Sequence, residues 1–118
     1  MAQPSDLVPL VLYRDDDVIV LDKPAGIAVH AGSGRADSLD QGFGGLRFGR
    51  SEIPQLAHRL DRETSGCLVL GRHGRALARL GRQFQTGAVK KTYWAVVAGV
   101  PEPREGRCEQ ALARRGHD

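Results

Sequence analysis

A chain of 118 residues with a net charge of +3 makes one small domain and has little core to spare. At 41% hydrophobic and 26% charged it is too apolar for a disordered tail, and no run approaches the roughly 20 apolar residues of a membrane helix. Two cysteines, Cys67 and Cys108, exclude a disulfide framework and a Cys-x-x-Cys zinc site; with no signal-peptide pattern at the start, reduced thiols and a cytoplasmic location are expected.

In chain order, Val8 to Tyr13 is apolar and β-prone and predicts a strand. Asp15-Asp16-Asp17 predicts a polar turn, and Val18 to Leu21 a second strand. Pro24 and Gly26 then break the pattern, before a short strand from Ile27 to His30 and a loop at Ala31-Gly32-Ser33-Gly34. Ser38 is placed to cap a short helix, although Gly42, Gly44 and Gly45 make it a poor one. Gly66 to Gly71 predicts a buried strand. From His73 to Gln85, Ala76, Leu77, Leu80 and Phe84 recur at helical spacing with arginines largely off that stripe, an amphipathic helix with a basic face. Gly87 suits its C-terminus. Thr92 to Val97 predicts a strong strand, with Trp94 turned toward the core or covering the sheet. Beyond Pro101 the chain is polar and aperiodic. Strands joined by short turns, with one helix between strands, predict an α+β sheet protein.

Charge is unevenly distributed. Acids dominate up to Asp40, whereas from Arg59 to Lys91 eight basic residues face only Asp61 and Glu63. Arginine's planar fork suits bidentate phosphate contacts, although a solvated arginine-rich surface reads the same way. Within that basic stretch lies His58-Arg59-Leu60-Asp61-Arg62-Glu63-Thr64-Ser65-Gly66, one carboxylate between two guanidinium groups. Nearby positive charge favours an ionised carboxylate, which can serve as nucleophile or base. The plain alternative is an Asp that only turns the chain by bonding backbone N–H groups.

This segment resembles the His-Arg-Leu-Asp-x-x-Thr-Ser-Gly signature of the RluA-type pseudouridine synthases, with seven fixed identities in nine positions. Leu21-Asp22-Lys23-Pro24-Ala25-Gly26, leading into Val29-His30, is similar to the family's upstream Lys-Pro-x-Gly motif. Lys91-Thr92-Tyr93-Trp94-Ala95-Val96-Val97-Ala98-Gly99 is similar to its Lys-x-Tyr-x-Ala-x-Val-x-Gly strand. The resemblance covers roughly residues 10 to 100. It implies a mixed, mostly antiparallel sheet with flanking helices, and isomerisation of uridine to pseudouridine in rRNA or tRNA: the C1′–N1 bond breaks, the uracil turns over, and C1′ bonds to C5. It implies that Asp61 is the attacking carboxylate, that Tyr93 is the active-site tyrosine, and that Arg59 enters the RNA stack where the target base leaves. Arg62, Arg72, Arg75, Arg79, Arg82 and Lys91 are then expected to contact RNA phosphates. Lys23 and His30 are expected to be structural or loop-positioning. RNA is the implied partner of an expected monomer, with no metal or cofactor.

The family's later basic motif, whose arginine pairs with the catalytic aspartate, has no counterpart up to Asp118. The expectation is therefore a partial catalytic domain over residues 1–118, with a catalytically silent RNA-binding remnant as the competing reading. A protein kinase is excluded, because its loop runs His-Arg-Asp with a downstream Asn, and no Gly-rich phosphate loop precedes a strand lysine here.

Overall fold

The computed structural model describes residues 6–31 and 37–110. The loop expected at Gly32-Ser33-Gly34 and the polar stretch past residue 110 lie outside them. Four strands form one antiparallel sheet: β1 (Val11–Arg14), β2 (Val18–Lys23), β3 (Gln55–Leu56) and β4 (Gly66–Gly71), in the spatial order β1-β2-β4-β3. One α-helix, α1 (Gly74–Gln85), follows β4.

The centre of the sheet is the β2–β4 pair, in register from Val18 opposite Gly71 to Lys23 opposite Gly66. Period-two alternation puts Ile19, Leu21 and Lys23 on one face of β2, all buried, against Leu68 and Leu70 of β4. A 3-10 helix, Leu39–Leu46, lays Leu39, Phe43 and Leu46 over that face, and Leu7, Val29 and Leu60 complete the core. Each fully buried Leu or Ile contributes about 1.5–3 kcal/mol through lost apolar exposure.

Several expected elements differ in the structure. The first strand begins at Val11, because Pro9 starts a 3-10 turn over Val8–Leu10 instead. Ile27 to His30 forms no strand beyond a single bridge from Ala28 to Ser38. Its carbonyls are taken up locally: Leu39 and Asp40 donate their N–H groups to Ala28 and Val29 at 2.8 and 3.1 Å. Ser38 stands at the helix N-cap but does not cap it, since its hydroxyl donates to Asp40. The two-residue β3 carries too short a pattern to be foreseen.

The aspartate turn follows its sequence: Asp15 Oδ1 accepts from the N–H of Asp17 and of Val18, each at 2.8 Å. At the same end of β2–β4, a Cβ on Gly71 would lie 2.8 Å from the Leu77 Cα. Only glycine lets α1 approach the strand this closely.

The largest departure is at Thr92 to Val97. It joins no ladder, and Trp94 and Val96 are 96% and 104% exposed. Trp94 therefore neither enters the core nor covers the sheet. A strand forms only where a neighbour takes up its backbone groups, and none lies beside this segment among the described residues.

Candidate active site

The Asp61 loop connects β3 to β4, and side chains alternate along it. His58 points inward, Arg59 outward, Leu60 into the core, and Asp61 outward. His58 is fixed twice. Its Nε2 accepts the Val69 N–H at 3.0 Å, and its ring stacks on Phe84 of α1 with centroids 4.4 Å apart. Burial, helped by the Lys91 charge, holds the imidazole below its usual pKa, consistent with a neutral ring accepting through Nε2. The first residue of the signature is thus a brace between strand and helix.

Beyond Asp61 the loop is held by a buried charge. Lys23 is 0% exposed, and its Nζ donates to the carbonyls of Pro24, Arg62 and Thr64 at 2.8, 3.0 and 2.8 Å. An ammonium has three donors, and all three are used on backbone oxygens, two of them in the Asp61 loop. Burial pulls its pKa below the usual lysine value, against the opposing pull of the Glu63 and Asp61 carboxylates. The Thr64 N–H closes the turn onto the Asp61 carbonyl at 3.0 Å. Gly26, at φ +96°, donates its N–H to the Arg62 carbonyl at 2.8 Å, and Arg62 Nε returns a bond to the Gly26 carbonyl at 3.3 Å. The Lys-Pro-Ala-Gly turn and the Asp61 loop, 39 residues apart in sequence, are one bonded unit.

That unit presents Asp61 exposed on a rigid base. Among the described residues no cationic side chain lies within ion-pair distance of its carboxylate. Arg59 is exposed beside it, and exposed Arg62 lies 3.9 Å from Glu63.

Other expected site residues fall elsewhere. Tyr93 is 58% exposed and lines a cleft of about 570 Å³ with Leu60, Thr64, Cys67, Lys91 and Trp94, where Asp61 is not a lining residue. Arg75, Arg79 and Arg82 are exposed on α1, but Arg75 and Arg79 line a cleft with Asp15 and Asp17, so the acidic turn offsets part of that basic face. Arg72 is not a phosphate ligand. It is 6% exposed, and its guanidinium donates to the carbonyls of Asp15 at 2.7 Å and Arg47 at 2.9 Å. Coming just before the helix, it folds back to tie the β1–β2 turn to the sheet. His73, beside it, caps α1 by accepting the Ala76 N–H at 3.2 Å.

Sequence reasoning missed a second polar unit. His30 Nδ1 lies 2.8 Å from Asp40 Oδ2, and the Ser38 hydroxyl donates to Oδ1 of the same carboxylate. Burial alone would raise the Asp40 pKa, but the bonds from Ser38 and His30 hold it below the usual carboxylate value.

Residues 17–118 match the profile of the RNA pseudouridylate synthase family. The chain belongs to that family. It is 44% identical over 108 residues to an uncharacterised RNA pseudouridine synthase of Zymomonas mobilis, covering 92% of this chain and 49% of that protein. The ribosomal large subunit pseudouridine synthase C of Escherichia coli is 41% identical over 93 residues, covering 79% of this chain and 29% of that one. Among solved structures, human RNA pseudouridylate synthase domain containing 4 superposes with a TM-score of 0.57 at 29% identity, covering 70% of this chain and 32% of that chain. The chain spans about half the length of the first relative and less than a third of the other two. In this family member, the segment that resembles the family signature coincides with the braced loop.

Proposed function

We propose that this chain supplies the Asp61-bearing part of an enzyme that isomerises uridine to pseudouridine in rRNA or tRNA. Asp61 is the attacking carboxylate, Tyr93 packs against the uracil, and Arg59 occupies the space that the extruded base vacates. Extrusion costs a few kcal/mol, and a rigid side-chain platform beside the base offsets it. The observation that carries this reading is the Lys23-braced loop: a family signature whose inward residues are anchored and whose aspartate faces solvent between two exposed arginines, with no ion pair among the described residues. Of the cations expected to meet phosphate, Arg62, Arg75, Arg79, Arg82 and Lys91 are exposed. The working form is a cytoplasmic monomer with RNA as its partner.

A second reading, an RNA-binding polypeptide without turnover, is favoured by Tyr93 lying on a segment that joins no ladder and by the absence, among the described residues, of an ion pair at Asp61. Tritium release from RNA labelled at uridine C5 separates the two, because forming C1′–C5 expels that hydrogen. Release by this chain that disappears in Asp61→Ala supports the isomerase. A folded chain that binds RNA and releases nothing supports the second reading.

A further inference from the structure

A second cleft, also about 570 Å³, shares His58 as a lining residue with the Tyr93 cleft. Its wall is apolar at Phe43, Ile53, Pro54 and Leu56, and its polar members include His30, Asp40 and Arg59. The His30–Asp40–Ser38 unit is no hydrolase triad: Ser38 is 0% exposed and bonds the carboxylate rather than the imidazole. It does orient a ring. The Asp40 carboxylate is held ionised and can only accept, so the proton shared with His30 sits on Nδ1. The free nitrogen is therefore Nε2, on a side chain that is 55% exposed. An imidazole set by a half-buried carboxylate, an exposed guanidinium and a flat apolar wall match the three parts of a nucleotide better than any one of them alone.

We propose that this cleft binds the nucleotide next to the target uridine, with its phosphate on the Arg59 guanidinium, a ribose hydroxyl donating to His30 Nε2, and its base against Ile53 and Pro54. This rests on the reading above that the ligand strand is RNA. The position fits: Arg59 belongs to this cleft and stands two residues before Asp61, about 7 Å along extended chain. The residue types fit as well. Ile53 is 44% exposed, and Asp40 fixes the ring whose accepting edge faces the ribose.

The test is a titration of the full chain with uridine 5′-monophosphate, followed by amide and imidazole NMR shifts, with uridine and inorganic phosphate as partial probes. The nucleotide should move the His30 ring and the amides of Ile53, Gln55 and Arg59, and bind better than either partial probe. His30→Ala should weaken it about fivefold, the scale of one lost neutral hydrogen bond. Because that variant also removes a partner of Asp40, a charge-swap pair at the cleft wall gives independent evidence: Ile53→Lys should tighten binding and Ile53→Glu should weaken it. Shifts confined to the Tyr93 cleft, uridine binding as well as its monophosphate, or identical affinity in both Ile53 variants would overturn the proposal. Occupancy of this cleft without tritium release would sink the isomerase reading and leave the nucleotide site standing. Release with the cleft empty would do the reverse.

Discussion

The Asp61 loop and the segment from Thr92 to Val97 both carry family motifs, yet they end in opposite states. In the loop every inward group has a partner: His58 on Val69, Leu60 in the core, and the carbonyls of Arg62 and Thr64 on Lys23. The later segment holds strong strand formers, Tyr93, Trp94, Val96 and Val97, all exposed and in no sheet. The loop draws its partners from Lys23 of β2, 39 and 41 residues before the carbonyls it holds, and from Val69 of β4, 11 residues after His58. β-Propensity, by contrast, describes fitness for a sheet surface and supplies no neighbour.

The sharpest way to break the contrast is Lys23→Met. It leaves the Pro24 and Thr64 carbonyls without their donor in a buried site, at about 1–3 kcal/mol each, partly offset because no charge is then buried. A net loss of about 2–4 kcal/mol in chemical denaturation is expected. Unchanged stability would show that the loop does not depend on the ammonium.

Gly71→Ala comes next. The added methyl would meet backbone of α1 at 2.8 Å, costing about 1–3 kcal/mol in overpacking and loosening the Phe84 face that supports His58. A smaller effect comes from pH. With its folded pKa depressed by burial, His58 contributes stability that is fully present above about 6.5, its unfolded value. That contribution is lost as pH falls through the lower folded value. The denaturation midpoint should therefore drop between pH 7 and pH 5, and His58→Asn should flatten the drop. Trp94→Ala should change stability by less than about 0.5 kcal/mol. A larger loss would mean that the segment is packed after all.

Where the sequence was legible, the cause was local. β2, β4 and α1 are read from apolar runs and a 3.6-residue stripe that the core then uses. The turn at Asp15 is written in its own side chain. What escaped depends on distant partners. Arg72 looks like the start of a basic face until its guanidinium is seen on the Asp15 and Arg47 carbonyls. Ile27 to His30 has the composition of a strand but gives its carbonyls to the 3-10 helix. At the site, the signature made Asp61 and Arg59 readable, and the upstream motif marked Lys23 and His30 as loop-positioning. Neither motif says that Lys23 reaches the Asp61 loop's own carbonyls, nor that Asp40 orients the His30 ring.

The central claim is that the braced loop exists to present one reactive carboxylate. Its most direct test pairs tritium release from C5-labelled uridine RNA with RNA affinity, for the chain and for Asp61→Asn. The variant keeps the side chain's shape and the backbone bond to Thr64, and the Asp61 carboxylate makes no hydrogen bond or ion pair among the described residues. Release should therefore fall by several orders of magnitude while affinity stays within about twofold. Parallel loss of release and affinity would contradict the account and make Asp61 a structural or binding residue.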